Sequence, residues 1–439
     1  MRELLNPLPI STRRFVPLAL LLLGLSGCGG GGSASVTAVP DTYVINSGGN
    51  ITVNAPGVLL NDSGSGLTAQ LVSGPAGLTL NSNGSFSYIG GIATSFTYRA
   101  VNGTGSATAT VTININQPPV AANTCLSTPV NTSLNGTLTA TDEPGSQPVM
   151  FQQIPDATVG PNKGNVVVNP NGTFTYAPNN TTVRGMDKFR FRATDQLGLT
   201  SDAIATVFID GSIRIMPLGD SITAGLLSGQ PSSVWVGYRR KLYNDLSALN
   251  PTRFGINFVG SVTNQGESAS PPLADRDHDG HDGWCDDTNP ACGTGSTISD
   301  NLISGLNFLN NNPPDIILLH IGTNSFNINN SGVNSILNNI NTWAQSNYPV
   351  TVFVARIIPS VDGSLDVNTF NNNVTAIATD RAAVKVYVVN QQSTLQTSLN
   401  IADTALMSDN LHPNQTGYDK IADKWKADLI NSGVLPNCP

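Results

Sequence analysis

The sequence is poor in charge. Lysine, arginine, aspartate and glutamate together make up 11% of its 439 residues, where an intracellular globular chain carries about 25%. That deficit, with abundant glycine, asparagine, serine and threonine, is the composition of an exported, loop-rich β protein. Beyond the extreme N-terminus the one run of three cations is Arg239-Arg240-Lys241, and the formal net charge is −8. Phosphate backbones are held by grouped lysine and arginine, so no nucleic-acid partner is expected, and an anionic polysaccharide is disfavoured. Long apolar runs are also absent. Phe15 to Leu25 is an apolar stretch of 11 residues, far short of the about 20 that a spanning helix needs. Histidine occurs only at His278, His281, His320 and His412, so any chemistry that uses an imidazole rests on one of these positions.

What is present begins with an export signal. Arg2, Arg13 and Arg14 precede the apolar stretch, the order of a secretory leader that belongs to no fold. The stretch ends in Leu25-Ser26-Gly27-Cys28, which resembles the bacterial lipobox. The resemblance implies cleavage after residue 27, lipid attachment to Cys28 and a Gly/Ser tether over 28–35. Gly29 stands where aspartate would retain a lipoprotein in the inner membrane, so an outer-membrane or cell-surface anchor is implied. Four cysteines remain, and an exported chain with an even number predicts disulfides. Cys285 and Cys292 would close a short loop. Cys125 and Cys438 are left to pair by elimination.

At this length two or three domains are expected. Asn83-Gly84-Ser85-Phe86-Ser87-Tyr88 recurs as Asn171-Gly172-Thr173-Phe174-Thr175-Tyr176, and Ser95–Ile113 recurs as Lys188–Ile209. The period of roughly 90 residues fits one β-sandwich per copy, over 36–116 and 118–210. Phe86 and Tyr88 alternate as a half-buried strand requires, and the Asn-Gly before them supplies a hairpin turn. Gln117-Pro118-Pro119 reads as a stiff linker. The copies resemble cadherin-like or bacterial Ig-like repeats, with Gly57-Val58-Leu59-Leu60-Asn61-Asp62 a phrase of that group. A spacer role is favoured over sugar binding, since no cluster of aromatics stands out; Asp62 and Asp142 are candidates for calcium.

After Gly211 the period changes. Apolar runs at Ile213–Leu218, Asn257–Val259, Ile316–Ile321, Val350–Ala355 and Val384–Val389 alternate with helical stretches at Val234–Leu249, Val333–Ser346, Val367–Arg381 and Asn414–Asn431. Strands spaced by helices predict a parallel sheet covered on both faces, a flavodoxin-like α/β/α three-layer domain over 212–439. Functional residues of such sheets gather at the carboxyl ends of the strands.

Four blocks fall at those ends. Gly219-Asp220-Ser221 places a serine at the close of the first strand. Asp409-Asn410-Leu411-His412-Pro413 places a carboxylate and an imidazole three residues apart before a helix, where the one can orient the other. Gly260 can offer a bare backbone N–H, and Asn324 a side-chain amide, to a developing oxyanion; each such donor contributes about 3 kcal/mol. In this order the blocks resemble those of SGNH/GDSL hydrolases and cover about half the chain. The resemblance implies Ser221 as nucleophile and first oxyanion donor, Gly260 and Asn324 as the other donors, His412 as base and then acid, and Asp409 as its orienting partner. The segments RIMPLGDSITAG, GYRRKLYNDL, INFVGS, DRDHDGHDGW and DNLHPNQTGYDKIAD are similar to family 3 carbohydrate esterases, the acetylxylan esterases. That implies a serine esterase acting on acetylated polysaccharide or oligosaccharide, with no cofactor required for catalysis. Two departures stand out: Ser325 follows Asn324 where many relatives have aspartate, and Cys285–Gly295 inserts after His278-Asp279-Gly280-His281.

Asp275, Asp277, Asp279 and Asp286, with Gly280 at the sixth position, have the 1, 3, 5, 12 spacing of a calcium loop, although aspartate replaces the usual closing glutamate. Zinc at His278 and His281 is a second metal reading, and a solvated acidic loop a third. Two other functions compete with the acetylesterase. One is an esterase, lipase or thioesterase on other acyl substrates, which the lack of a long apolar lid segment disfavours. The other is a surface polysaccharide-binding protein whose hydrolase domain is inactive, against which stands the filling of every catalytic position.

Overall fold

The computed structural model describes residues 35–144, 149–249, 254–287, 297–325, 331–398, 400–436 and 438. The leader, Cys28 and Cys292 lie outside these residues.

Each repeat folds as the alternation predicts. In the first, Asp41–Ile45, Gly105–Ile115, Thr94–Asn102 and Thr68–Ser73 form one sheet in that order; Asn50–Val53, Phe86–Ile89 and Leu78–Leu80 form the facing one. The second repeat copies this plan, with Leu134–Thr137, Thr173–Pro178 and Gly164–Val168 as its three-stranded sheet. Phe86, Tyr88, Phe96 and Tyr98 fill the first core, and Phe174, Tyr176, Phe189 and Phe191 the second. In both Asn-Gly turns only the glycine is left-handed, at φ +83° and +87°. The asparagine instead accepts from the backbone N–H two residues on, the usual local bond of an asparagine turn. Between the repeats, buried Asn116 donates to Asp195 at 2.7 Å and to Asn46 at 2.9 Å. The junction is therefore bonded as well as stiffened by proline.

The third unit has the expected parallel sheet, in the order Gly255–Phe258, Ser212–Gly219, Ile316–His320, Val350–Arg356, Val384–Asn390. Strand side chains alternate between two cores. Leu319 and Val352 face the helices Ser331–Ser346 and Val367–Ile377. Leu318 and Phe353 face Arg239–Ser247 and Gln415–Asn431. The helix expected from Val234 starts five residues later, at Arg239. Gly237 interrupts it with φ +50°, and its α-carbon packs against Gly225 just after Ser221–Ala224. The helix expected to reach Arg381 ends at Ile377.

The second sandwich is built into the base of this unit. Thr200–Ile209 runs through Asp210 and Gly211 directly into Ser212–Gly219, and Phe208 stacks on Phe254 at 5.1 Å within a core of the third unit. Buried Asp315 pairs with buried Lys163 of the sandwich and accepts the N–H groups of Met186 at 3.0 Å and Arg214 at 2.8 Å. Cys125 and Cys438 form a disulfide across the same boundary. Cys285 is also disulfide-bonded.

Candidate active site

The first strand ends at Gly219, and the chain turns at once into the short helix Ser221–Ala224. Asp220 caps that helix, accepting from the Ile222 N–H at 3.0 Å, and its second oxygen accepts from the Thr323 N–H at 3.3 Å. A fully buried carboxylate thus ties the Ser221 turn to the turn carrying Asn324. From below, the buried Arg239 guanidinium donates to the carbonyls of Thr223 and Ala224 at 3.1 and 3.0 Å. Burial lowers this guanidinium to about 10. A short helix that could not persist alone is held at both ends.

His412 comes from the turn before Gln415–Asn431. Asn414 caps that helix by accepting from Gly417 at 3.1 Å, and the Tyr418 hydroxyl donates to the Leu226 carbonyl at 2.9 Å. These contacts bring the C-terminal helix over the Ser221 turn. Ser221 Oγ lies 2.9 Å from His412 Nε2, and His412 Nδ1 lies 2.9 Å from Asp409 Oδ2. Asp409 Oδ1 also accepts the N–H groups of Leu411 at 2.8 Å and His412 at 2.7 Å. Partial burial alone would raise the Asp409 carboxyl, but those two N–H groups and the imidazole together hold it below its ordinary value. An ionised carboxylate facing Nδ1 favours the tautomer in which Nε2 accepts a proton from the serine. The arrangement can therefore generate a serine nucleophile.

Asn324 follows Thr323 on the turn that Asp220 ties to Ser221, its amide donating to the Trp284 carbonyl at 2.9 Å. Gly260 does not join them. The edge strand pairs with Ser212–Ile215 and then diverges, and Asp279–Gly280 takes the place beside Leu218 and Gly219. Gly260 is buried behind that short strand, where a β-carbon would lie 2.1 Å from the His278 carbonyl carbon. The glycine against the serine turn is Gly280, where a β-carbon would meet the Ala224 nitrogen at 2.5 Å.

The acidic stretch does not converge on an ion. Asp275 accepts from the Phe258 N–H at 2.6 Å, Asp279 from the Ser261 N–H at 3.0 Å, and Asp286 bonds Ser325. These three carboxylates are spent on different strand ends or turns, and no three metal-ligating side chains come together among the described residues. Asp275, Asp277, Asp279 and Asp286 are therefore not gathered as one ligand set in this structure. His278 is buried with Nδ1 accepting the Gly280 N–H at 2.9 Å, so it shapes that short strand. His281 stacks on Trp284 at 4.1 Å. In the first repeat, Asp62 accepts from the Tyr98 hydroxyl and, at 2.8 Å, from the Val39 N–H.

Sequence reasoning missed Asp220 and Arg239 as the braces of the serine turn. The only trace of the Arg239 role was an arginine in an otherwise apolar helix face. It also missed the stack of His281, Trp284 and Phe308, which depends on two segments far apart in the chain.

A parallel sheet between two helical layers, with a Ser–His–Asp chain at its carboxyl end, defines an α/β/α hydrolase fold carried on two sandwiches. Residues 215–425 belong to the GDSL-like lipase/acylhydrolase family, and residues 33–114 and 116–208 are bacterial Ig domains. The chain is 28% identical over 229 residues to a multidomain esterase of Ruminococcus flavefaciens, a match covering 49% of this chain and 28% of the relative. It thus spans little more than a quarter of that relative's length. A family 3 carbohydrate esterase from Talaromyces cellulolyticus aligns with 50% of this chain and 97% of its own, at 23% identity and TM-score 0.38.

Proposed function

We propose that the chain is an exported serine esterase that removes acetyl groups from carbohydrate. The single observation that carries an esterase is the unbroken chain from Ser221 Oγ through His412 to Asp409, each link at 2.9 Å. Ser221 Oγ attacks the ester carbonyl carbon while His412 Nε2 takes its proton. The tetrahedral oxyanion is met by the Ser221 N–H and the Asn324 amide. As it collapses, the sugar oxygen leaves with the proton returned by His412, and an acetyl-serine remains. Water then attacks that ester with the same base, releasing acetate and free serine.

Acetylated carbohydrate is supported by the similarity of the blocks around Ser221, Trp284 and His412 to family 3 carbohydrate esterases. Export and a lipid anchor at Cys28 are supported by the leader and its lipobox-like end. The two Ig domains would then hold the enzyme away from the membrane.

The test is acetate release from acetylated xylan by the chain from residue 35 onward, with Ser221→Ala alongside. Release is expected from the parent and loss of at least about a thousandfold in the variant. A variant that keeps the fold and most of the rate would refute the mechanism. Activity on small acetyl esters without release from xylan would remove the carbohydrate reading and leave the esterase.

A further inference from the structure

We propose that Trp284 is the floor of a pyranose-binding subsite beside the nucleophile, an inference that rests on the carbohydrate reading above. Its place is set by three ties. The His281 N–H donates to the Gly219 carbonyl at 2.9 Å, two residues before Ser221. The Trp284 carbonyl accepts the Asn324 amide at 2.9 Å. Asp286, two residues further on, bonds Ser325. Trp284 is therefore stitched between the turn that carries the nucleophile and the turn that carries the oxyanion amide.

The indole is partly exposed, yet firmly backed. His281 stacks on it with centroids 4.1 Å apart and planes 20° apart, and His281 stacks in turn on fully buried Phe308 at 5.1 Å. A backed, partly exposed aromatic ring needs little ordering when a ligand lands on it, so little of the contact energy is lost to entropy. Its indole N–H makes no hydrogen bond among the described residues and remains available as a donor. Neighbouring Asp282 and Gly283 are exposed, and Asp287 is half-buried.

That surface matches a sugar better than an acyl chain. A fatty chain is bound by an enclosed apolar channel, whereas here a single aromatic plate, packed against the core on its inner side, carries a free indole N–H in a segment that also holds Asp282 and Asp287. A pyranose ring has the complementary make-up: an apolar C–H face for the plate and equatorial hydroxyls for its rim. With the ring on Trp284, a pendant acetyl ester reaches toward Ser221, and binding energy from the unreactive sugar is used to place the reacting carbonyl.

The test compares the chain from residue 35 onward with its Trp284→Ala and Trp284→Phe variants on two esters, acetylated xylotetraose and ethyl acetate, which has no sugar ring for the indole to hold. The ratio of kcat/KM on the oligosaccharide to that on ethyl acetate should fall about tenfold in Trp284→Ala. The loss should lie in KM, and Trp284→Phe should recover much of it. Equal losses on both esters would mean that Trp284 merely supports the site, and no loss on either would remove the subsite. If the parent cleaves ethyl acetate but no acetylated oligosaccharide, the carbohydrate reading fails by itself. Calorimetric titration of Ser221→Ala with xylotetraose then decides the subsite. Binding that disappears on adding Trp284→Ala keeps it; binding unchanged by that substitution, or none at all, overturns it.

Discussion

At the scale of single residues, the site separates groups that react from groups that hold them. Ser221, His412 and Asp409 form one hydrogen-bonded chain, while Asp220 and Arg239 fix the turn on which Ser221 sits. The Asn324 amide donates to the Trp284 carbonyl in the resting structure. In the proposed mechanism its contribution belongs to the transition state, when negative charge develops on the ester oxygen. Asn324→Ala should accordingly lower kcat by about 10²–10³, with KM for a small acetyl ester little changed. Steady-state kinetics on that ester provide the check, and a change confined to KM would assign Asn324 to ground-state binding. Ser221, Asp409 and His412 were legible in the sequence because Asp409 and His412 stand three residues apart before a helix and Ser221 closes a strand, in blocks that resemble one family. Asp220 and Arg239 were not, since their partners are backbone groups that only folding brings near.

At the scale of elements, the two-residue strand Asp279–Gly280 gives Ser212–Gly219 a second partner on the edge-strand side. It fills the space beside Leu218 and Gly219, lies between Gly260 and the serine turn, and leads into the stacked His281 and Trp284. Its anchor is His278, whose ring accepts the Gly280 N–H. Burial first, and then the Arg239 guanidinium and His281, hold the His278 pKa well below its ordinary value. The folded protein keeps this imidazole neutral, while the unfolded chain protonates it near pH 6.5. The stabilisation is thus fully present above about pH 6.5 and is lost as the pH falls below it. Melting temperatures should decline from pH 6.5 toward pH 4.5, and His278→Asn, whose side-chain oxygen can still accept from Gly280, should flatten that decline. Equal slopes for the two proteins would remove His278 as the cause. Apolar periodicity revealed the five long strands, but two residues of strand leave no periodic signal.

At the scale of the molecule, the second Ig domain is part of the enzyme's foundation. Lys163 and Asp315 are both nearly inaccessible, the side chains exposing 3% and 4% of their surface. Removing one member of such a pair leaves a buried charge, which costs about 3–5 kcal/mol. Lys163→Met should therefore lower the melting temperature by about 10 °C, and the hydrolase unit expressed without the second sandwich should be markedly less stable than the full described chain. Thermal unfolding with the Cys125–Cys438 disulfide intact tests both statements, and an unchanged midpoint would mean that the interface does not contribute. The first sandwich is bonded to the second through Asn116 and Asp195, so the two repeats form a continuous support.

The sequence alone determined the sandwich and three-layer classes and singled out Ser221, Asp409 and His412, which the fold joins in one hydrogen-bonded chain. These follow from regularities along the chain: a repeat, a period of two or 3.6, and short blocks at strand and helix ends. Tertiary structure alone decided that Gly260 stands behind Asp279–Gly280, that Asp275, Asp279 and Asp286 bond to three separate places, and that Lys163 neutralises Asp315 across a domain boundary. Those outcomes depend on which distant segments share a sheet edge or a buried charge, and spacing along the chain does not encode that.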